Sequence, residues 1–302
     1  MSLLIVGCAG DDTPSAAPGG DDFVPTVPVE SASTVSGSRA FEDDLGREVT
    51  LSGSRQDVVA TTPALVNVLL ALDVTPAARP ASATEPPEVL DLPSIGDQSA
   101  PNSEVLDLIA PDAVMVEVGV NDALVDGLPG IAVAVDLSSY ADVLDALRTL
   151  GDLFGRADRG EAAVRAIEAD LATAGLRNTS YVVVAGTPAR WWVAGPDSYA
   201  GDLGFQLDAV NVVPPGVASA DAPAAGWRDT DVAEIARWNP ARVLVLALDG
   251  TDLATTISED PAWATVAAVA DGDVFRLSDE LYVQAVGTKT GEALLGLASA
   301  LA

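Results

Sequence analysis

The chain has 302 residues, 49% apolar and 20% charged, enough for a folded body near the size at which one hydrophobic core divides. Its 45 acidic and 15 basic residues leave a net charge of −30, which repels phosphate backbones and anionic lipid and argues against nucleic-acid binding. There is no histidine, and Cys8 is the single cysteine, so histidine-dependent nucleophilic catalysis, a Cys/His zinc site and an internal disulfide are excluded.

The apolar run Leu3-Leu4-Ile5-Val6 ends in Gly7-Cys8 and is too short to span a membrane. Residues 9–40 are rich in Ala, Gly, Pro, Ser, Thr and Asp. That composition buries too little apolar surface to offset its ordering entropy, which predicts a flexible tether. From Phe41 the texture changes. Residues 41–51 predict a hairpin with Gly46 in its turn. A buried strand is expected over 57–61, and the Thr62-Pro63 step opens a helix over 64–72 with Leu65, Val68, Leu69 and Leu72 on one face. Strands follow at 113–118 and 131–136, with helices between and after them, including one over 140–150. Residues 159–176 place Ala163, Ile167, Leu171 and Ala174 at helical spacing, as a long connector would. The βα pattern then resumes, with strands at 181–185, 243–248 and 274–277, and an alanine- and leucine-rich helix closes the chain.

Apolar runs without alternation, interleaved with helical patterns, indicate parallel sheets covered on both faces. The expected class is α/β: two three-layer α/β lobes with mostly parallel sheets, joined by one long helix. The expected segments are a tether over 1–40, an N-terminal lobe over 41–157, the connecting helix over 158–176 and a C-terminal lobe over 177–302. The halves echo one another. Residues 103–116 run from an acidic helix start through an apolar helix to Pro111 and a strand, and residues 231–245 repeat that plan around Pro240. Proline ends each helix because it disfavours helical geometry in the residue before it.

Three segments carry a family resemblance. They are Asp44-Leu45-Gly46-Arg47-Glu48-Val49, then Pro101-Asn102-Ser103-Glu104 with Ala110-Pro111-Asp112, then Asp260-Pro261-Ala262-Trp263 running to Ala268-Val269 and Gly272-Asp273-Val274-Phe275. In this order, with a connector helix between halves, they resemble the ABC-importer substrate-binding proteins of the iron–siderophore, haem and cobalamin class. The resemblance implies a periplasmic-binding-protein fold braced by a rigid interlobe helix, a monomer, no catalysis, no cofactor and no metal held by the protein itself. It implies an ABC permease and its ATPase as partners, and a carboxylate on the rim of each lobe to dock the permease. Glu104 matches the N-lobe position. The matching C-lobe place, counted back from Pro240, is Ala233, so Glu234 or Asp231 would have to substitute, with Glu234 preferred. Ile5-Val6-Gly7-Cys8 similarly resembles a bacterial lipobox, which implies lipid attachment at Cys8, a signal remnant ahead of the tether, and an extracytoplasmic, lipid-anchored location.

In two-lobed α/β proteins ligands sit beyond the carboxyl ends of the strands, where the lobes face each other. Thr187 to Tyr199 is the richest candidate, with Arg190, Trp191, Trp192 and Tyr199 close together. Aromatic faces supply stacking area, and arginine supplies a fork for carboxylate or catecholate oxygens. Strand alternation sends Trp191 and Trp192 to opposite faces, so one of them is expected in the core. Trp227 and Arg228 form a second Trp–Arg pair, Thr62 and Pro63 fall where the family's N-lobe contacts lie, and Tyr282 follows a strand. Glu117, Asn121 and Gln98 are weaker cleft candidates, since polar loop residues are usually solvated, and Trp238 and Trp263 read as packing residues. Without histidine, the manganese- and zinc-binding branch of the family is disfavoured. A ferric siderophore arrives fully chelated and asks for arginines and aromatics, which Arg190, Arg228 and the nearby rings offer. It is the preferred ligand, ahead of haem and then cobalamin. A surface sensor without a permease is the alternative of a different class.

Overall fold

The computed structural model describes residues 39–51, 57–187, 189–247, 252–284 and 287–302. Cys8, the tether up to residue 38, Pro188 and Leu248 lie outside the described residues.

The body opens with an antiparallel hairpin, β1 (Arg39–Glu42) and β2 (Glu48–Leu51), two residues earlier than expected. Gly46 takes a φ of +72° in its turn, a backbone region that costs an L side chain but not glycine. Then come β3 (Val58–Ala60), α1 (Pro63–Ala71), a small hairpin of β4 (Gly96–Asp97) and β5 (Ala100–Pro101), α2 (Ser103–Ile109), β6 (Ala113–Glu117), β7 (Ile131–Val135) and α3 (Tyr140–Leu153). β3, β6 and β7 form a parallel sheet in that order. Period-2 alternation divides its side chains: Val58, Ala60, Ala113 and Met115 join one apolar cluster, and Val59 and Val114 join another with Leu106 of α2. Both faces are buried, so the strand sequences read as unbroken apolar runs.

The helix α4 (Ala157–Ala174) follows, and after it the second sheet is built. Its elements are β8 (Ser180–Thr187), β9 (Arg190–Ala194), α5 (Tyr199–Gln206), β10 (Val210–Asn211), β11 (Trp227–Thr230), α6 (Val232–Trp238), β12 (Arg242–Leu246), α7 (Leu253–Glu259), α8 (Ala267–Asp271), β13 (Val274–Leu277) and α9 (Thr290–Ala300). The strand order is β11-β9-β8-β12-β13, with β10 alongside the start of β8. β8, β12 and β13 are parallel, whereas β9 and β11 are joined antiparallel. Val183, Ala185, Leu244 and Leu246 face the first apolar cluster, and Val182, Val184, Val243 and Val245 face a separate one on the other side.

α4 packs against α3 on one side and α9 on the other. Gly160 makes the first contact possible, since a Cβ there would stand 2.4 Å from the Leu147 carbonyl oxygen. Val164, Ile167 and Ala174 bury its inner stripe in the cluster shared by both sheets, so one continuous apolar layer ties the lobes. At its C-terminal end the chain is tied again, Arg177 Nε donating to the Ala298 carbonyl at 2.7 Å and Thr179 Oγ1 to that of Leu301 at 3.1 Å.

The sequence echo is a structural one. α2 starts at the N-cap Asn102 and ends with Ala110 in left-handed geometry at φ 50°, ψ 57°; α6 starts at the N-cap Asp231 and ends with Asn239 at φ 51°, ψ 59°. Each helix is followed by proline and then a central parallel strand, β6 or β12.

Candidate ligand-binding cleft

A cleft of about 700 Å³ opens between the lobes. From the N-terminal half it is lined by Pro63 at the start of α1, by Ala81 and Ser82, by Asp97, Gln98 and Ser99 of the β4–β5 hairpin, by Glu117 to Val120 after β6, and by Leu137 and Ser138 after β7. From the C-terminal half come Asp197 and Tyr199 after β9, residues of the small-residue loop between Ser219 and Ala225, and Tyr282 and Val283 after β13. Every wall segment other than the hairpin, the 81–82 turn and the 219–225 loop follows the carboxyl end of a strand, where an open α/β sheet leaves a crevice.

Glu117, the last residue of β6, carries the N-lobe floor. It is only 8% exposed, and Thr62 Oγ1 donates to its Oε2 at 2.5 Å. The same hydroxyl caps α1 by accepting from the Leu65 N–H at 3.3 Å. The backbone N–H of Glu117 donates to Asn121 Oδ1 at 2.9 Å, and Asn121 Nδ2 donates to the Gln98 carbonyl at 3.1 Å. Burial pushes the Glu117 carboxyl up to about 7, the neighbouring Asp136 adds to the rise, and the Thr62 hydrogen bond pulls against both.

The C-lobe wall is tied to α9. Tyr199 and Thr290 share a hydroxyl hydrogen bond of 2.7 Å, and Tyr282 donates to the Ala293 carbonyl at 2.6 Å. Burial is the main cause that raises both phenols above their ordinary range. Both rings border the cleft but are themselves buried, and they spend their oxygens on α9.

Of the residues expected to contact ligand, Pro63, Tyr199 and Tyr282 line the cleft, and Thr62 lies just behind it under Glu117. The two Trp–Arg pairs lie elsewhere. Arg190 to Ala194 form β9, paired to β8 and to β11, so Trp227 and Arg228, expected in a loop, lie in a strand instead. Trp191 therefore enters the C-lobe core, 5.0 Å edge-to-face from Trp263, and Trp192 lies on the opposite side under the Arg190 guanidinium at 4.8 Å. Trp227 is fully buried. Arg190 Nε donates to Asp229 at 2.7 Å and its Nη1 to Asp221 at 3.2 Å. Arg228 is held by Asp197 and the Pro214 carbonyl. No arginine or lysine is among the described residues lining the cleft.

Glu117, Gln98 and Asn121, the weaker candidates of the sequence, come together on the N-lobe side as one hydrogen-bonded unit, a linkage that the sequence reading did not foresee. Asp97 and the 219–225 loop carried no signal, being small or acidic residues like many others in this chain, whereas Asp197 lies inside the 187–199 candidate segment. Glu104 is exposed in the first turn of α2. Glu234 stands one place further into α6, where its backbone N–H bonds the Asp231 cap at 2.8 Å and its carboxylate meets Thr230 at 3.2 Å and Arg237 at 3.6 Å.

Residues 58–281 match the model of a family described as periplasmic binding protein. The Fe(3+)-citrate-binding protein YfmC of Bacillus subtilis is 21% identical over 269 residues, covering 84% of this chain and 83% of the relative. The catecholate-siderophore-binding protein VctP of Vibrio cholerae superposes with a TM-score of 0.73 at 19% identity, over 87% of this chain and 99% of that one. The haem complex of IsdE from S. aureus gives 0.68 at 20% identity, over 81% and 98%. These are binding proteins rather than enzymes, and this chain belongs to the periplasmic binding protein family.

Proposed function

We propose that this protein captures a ferric siderophore outside the cytoplasmic membrane and delivers it to an ABC permease and its ATPase. The carrying observation is the cleft: about 700 Å³, open between braced lobes, with two largely buried tyrosines backing one wall and a polar floor on the other. That volume lies within the usual range of small-ligand sites. Haem is the weaker reading, because the chain has no histidine and both cleft tyrosines spend their hydroxyls on α9. A siderophore arrives with its iron already chelated and asks the protein for no axial ligand. The names of the relatives, which state ferric citrate, a catecholate siderophore and haem, support this ligand range.

The finer reading assigns residues 41–157 and 177–302 to the two lobes and 158–176 to the brace, with Cys8 as the lipid-bearing residue of an extracytoplasmic anchor. Glu104 and Glu234 are the proposed docking carboxylates. Calorimetric titration of the full chain with ferric siderophores, haemin and cobalamin tests the ligand, and micromolar or tighter binding is expected for a ferric siderophore alone. Absence of binding by every ferric siderophore tried would overturn the reading. For the docking role, Glu104→Ala should abolish ligand uptake in cells while leaving affinity in solution unchanged; normal uptake would remove Glu104 from it.

A further inference from the structure

The acids and bases around the cleft are arranged one-sidedly. Asp97, Glu117 and Asp197 line it, and no cation does among the described residues. Two C-lobe arginines are already engaged: Arg228 donates from its terminal nitrogens to Asp197 and the Pro214 carbonyl while its buried Nε has no partner among the described residues, and Arg190 pairs with Asp229 and Asp221. Arg228 stands behind Asp197, its side chain 10% exposed against 56% for the aspartate, so the cleft meets the carboxylate and not the guanidinium. Glu117 takes one side-chain hydrogen bond among the described residues, from Thr62 to Oε2. These groups sit within a chain of net charge −30, whose field adds to theirs.

A binding site rejects a ligand most effectively by placing like charge where that ligand must lose its water. We propose that the cleft selects its chelate by charge, admitting neutral and cationic ferric chelates of the hydroxamate type and excluding polyanionic ones such as ferric citrate and ferric catecholates. In a tris-hydroxamate the ligand charges balance the ferric ion, whereas catecholates and citrate leave net negative charge on the complex. A pendant ammonium would find Asp97 on the hairpin and Asp197 on the C-lobe wall. A pendant catecholate oxygen would find no free donor fork. The proposal rests on the siderophore reading above and separates this chain from relatives whose names state citrate or catecholate.

The test titrates the full chain with ferrioxamine B (a cation), ferrichrome (neutral), ferric enterobactin and ferric citrate (both anions). The two uncharged or cationic chelates are expected to bind at least about a hundredfold more tightly than the anions, a gap that narrows as salt is raised. Asp197→Ala supplies a gain-of-function arm: it removes both the cleft carboxylate and the acceptor that holds Arg228 Nη2, so affinity for ferric enterobactin should rise by about tenfold. A purely structural role for Asp197 could only lower it. Asp97→Asn, on an exposed hairpin, should weaken ferrioxamine B more than it weakens ferrichrome. Binding of an anionic chelate as tight as that of ferrioxamine B would overturn charge selection and leave the siderophore function standing. Failure of all four chelates would overturn both.

Discussion

The two lobes run one plan to different ends. In each, a capped helix stops at a left-handed residue, a proline follows, and a central parallel strand leads to the cleft side of its sheet. Glu117 stands six residues after Pro111 and Leu246 six after Pro240, so the same register position holds a carboxylate in one lobe and a leucine in the other. Both continue the inner face of their strands, after Met115 and Leu244. The C-lobe shows that this position folds with an apolar side chain and contributes core packing there. A buried carboxylate in its place is destabilising unless its partners offset the lost hydration, and replacing such groups by apolar ones is often neutral or stabilising. Glu117 is therefore explained by the cleft it faces, not by the sheet it ends.

The largest effect that can break this comparison is pH dependence. The folded Glu117 carboxyl titrates at about 7 against an ordinary 4.5, because burial beside Asp136 outweighs the Thr62 hydrogen bond. With a raised folded value, the stabilising share is complete below the ordinary value and is lost as pH climbs through the folded one. Relative to Glu117→Gln, the wild type should lose on the order of 3 kcal/mol between pH of about 4.5 and about 7.5, at about 1.4 kcal/mol per tenfold in proton affinity. Urea unfolding of both proteins across that range measures it. Adding Thr62→Val removes the interaction that lowers the carboxyl, so the loss should move to higher pH, while the missing cap costs about 1 kcal/mol at every pH. Parallel profiles for wild type and Glu117→Gln would mean that the carboxylate is solvated and the lobes differ only in name.

Local rules carried most of the fold. Period-2 burial, the Thr62-Pro63 helix start, the Gly46 turn and the two helix–proline–strand units are written within spans of a dozen residues, and the structure follows them closely. The cleft was far less legible. Arg190 and Arg228 looked like free forks because their partners stand 39 and 31 residues away and are brought near by the pairing of β9 with β11. The paired tryptophans looked like a stacking surface, but a β-hairpin commits one to the core against Trp263, 72 residues on, and lays Arg190 over the other. Side-chain type identifies which chemistry is available. Strand pairing decides whether another residue has already used it.

The smaller effect sharpens the comparison at the caps. Ala110 and Asn239 hold nearly the same left-handed geometry, φ 50° and 51°, where an ordinary L residue meets its own carbonyl. That crowding costs about 1–2 kcal/mol, and asparagine tolerates it better than alanine. Glycine relieves the clash but adds unfolded-state freedom worth about 0.5–1 kcal/mol. Ala110→Gly should thus raise stability by about 0.5–1 kcal/mol, whereas Asn239→Gly should stay within about 0.5 kcal/mol of wild type. Urea midpoints of the two single variants decide it. Equal shifts would mean that the caps are equivalent and that the lobes differ, along this shared plan, at the strand ends alone. Unequal shifts would place a second asymmetry in the N-lobe, in the helix that also carries Glu104.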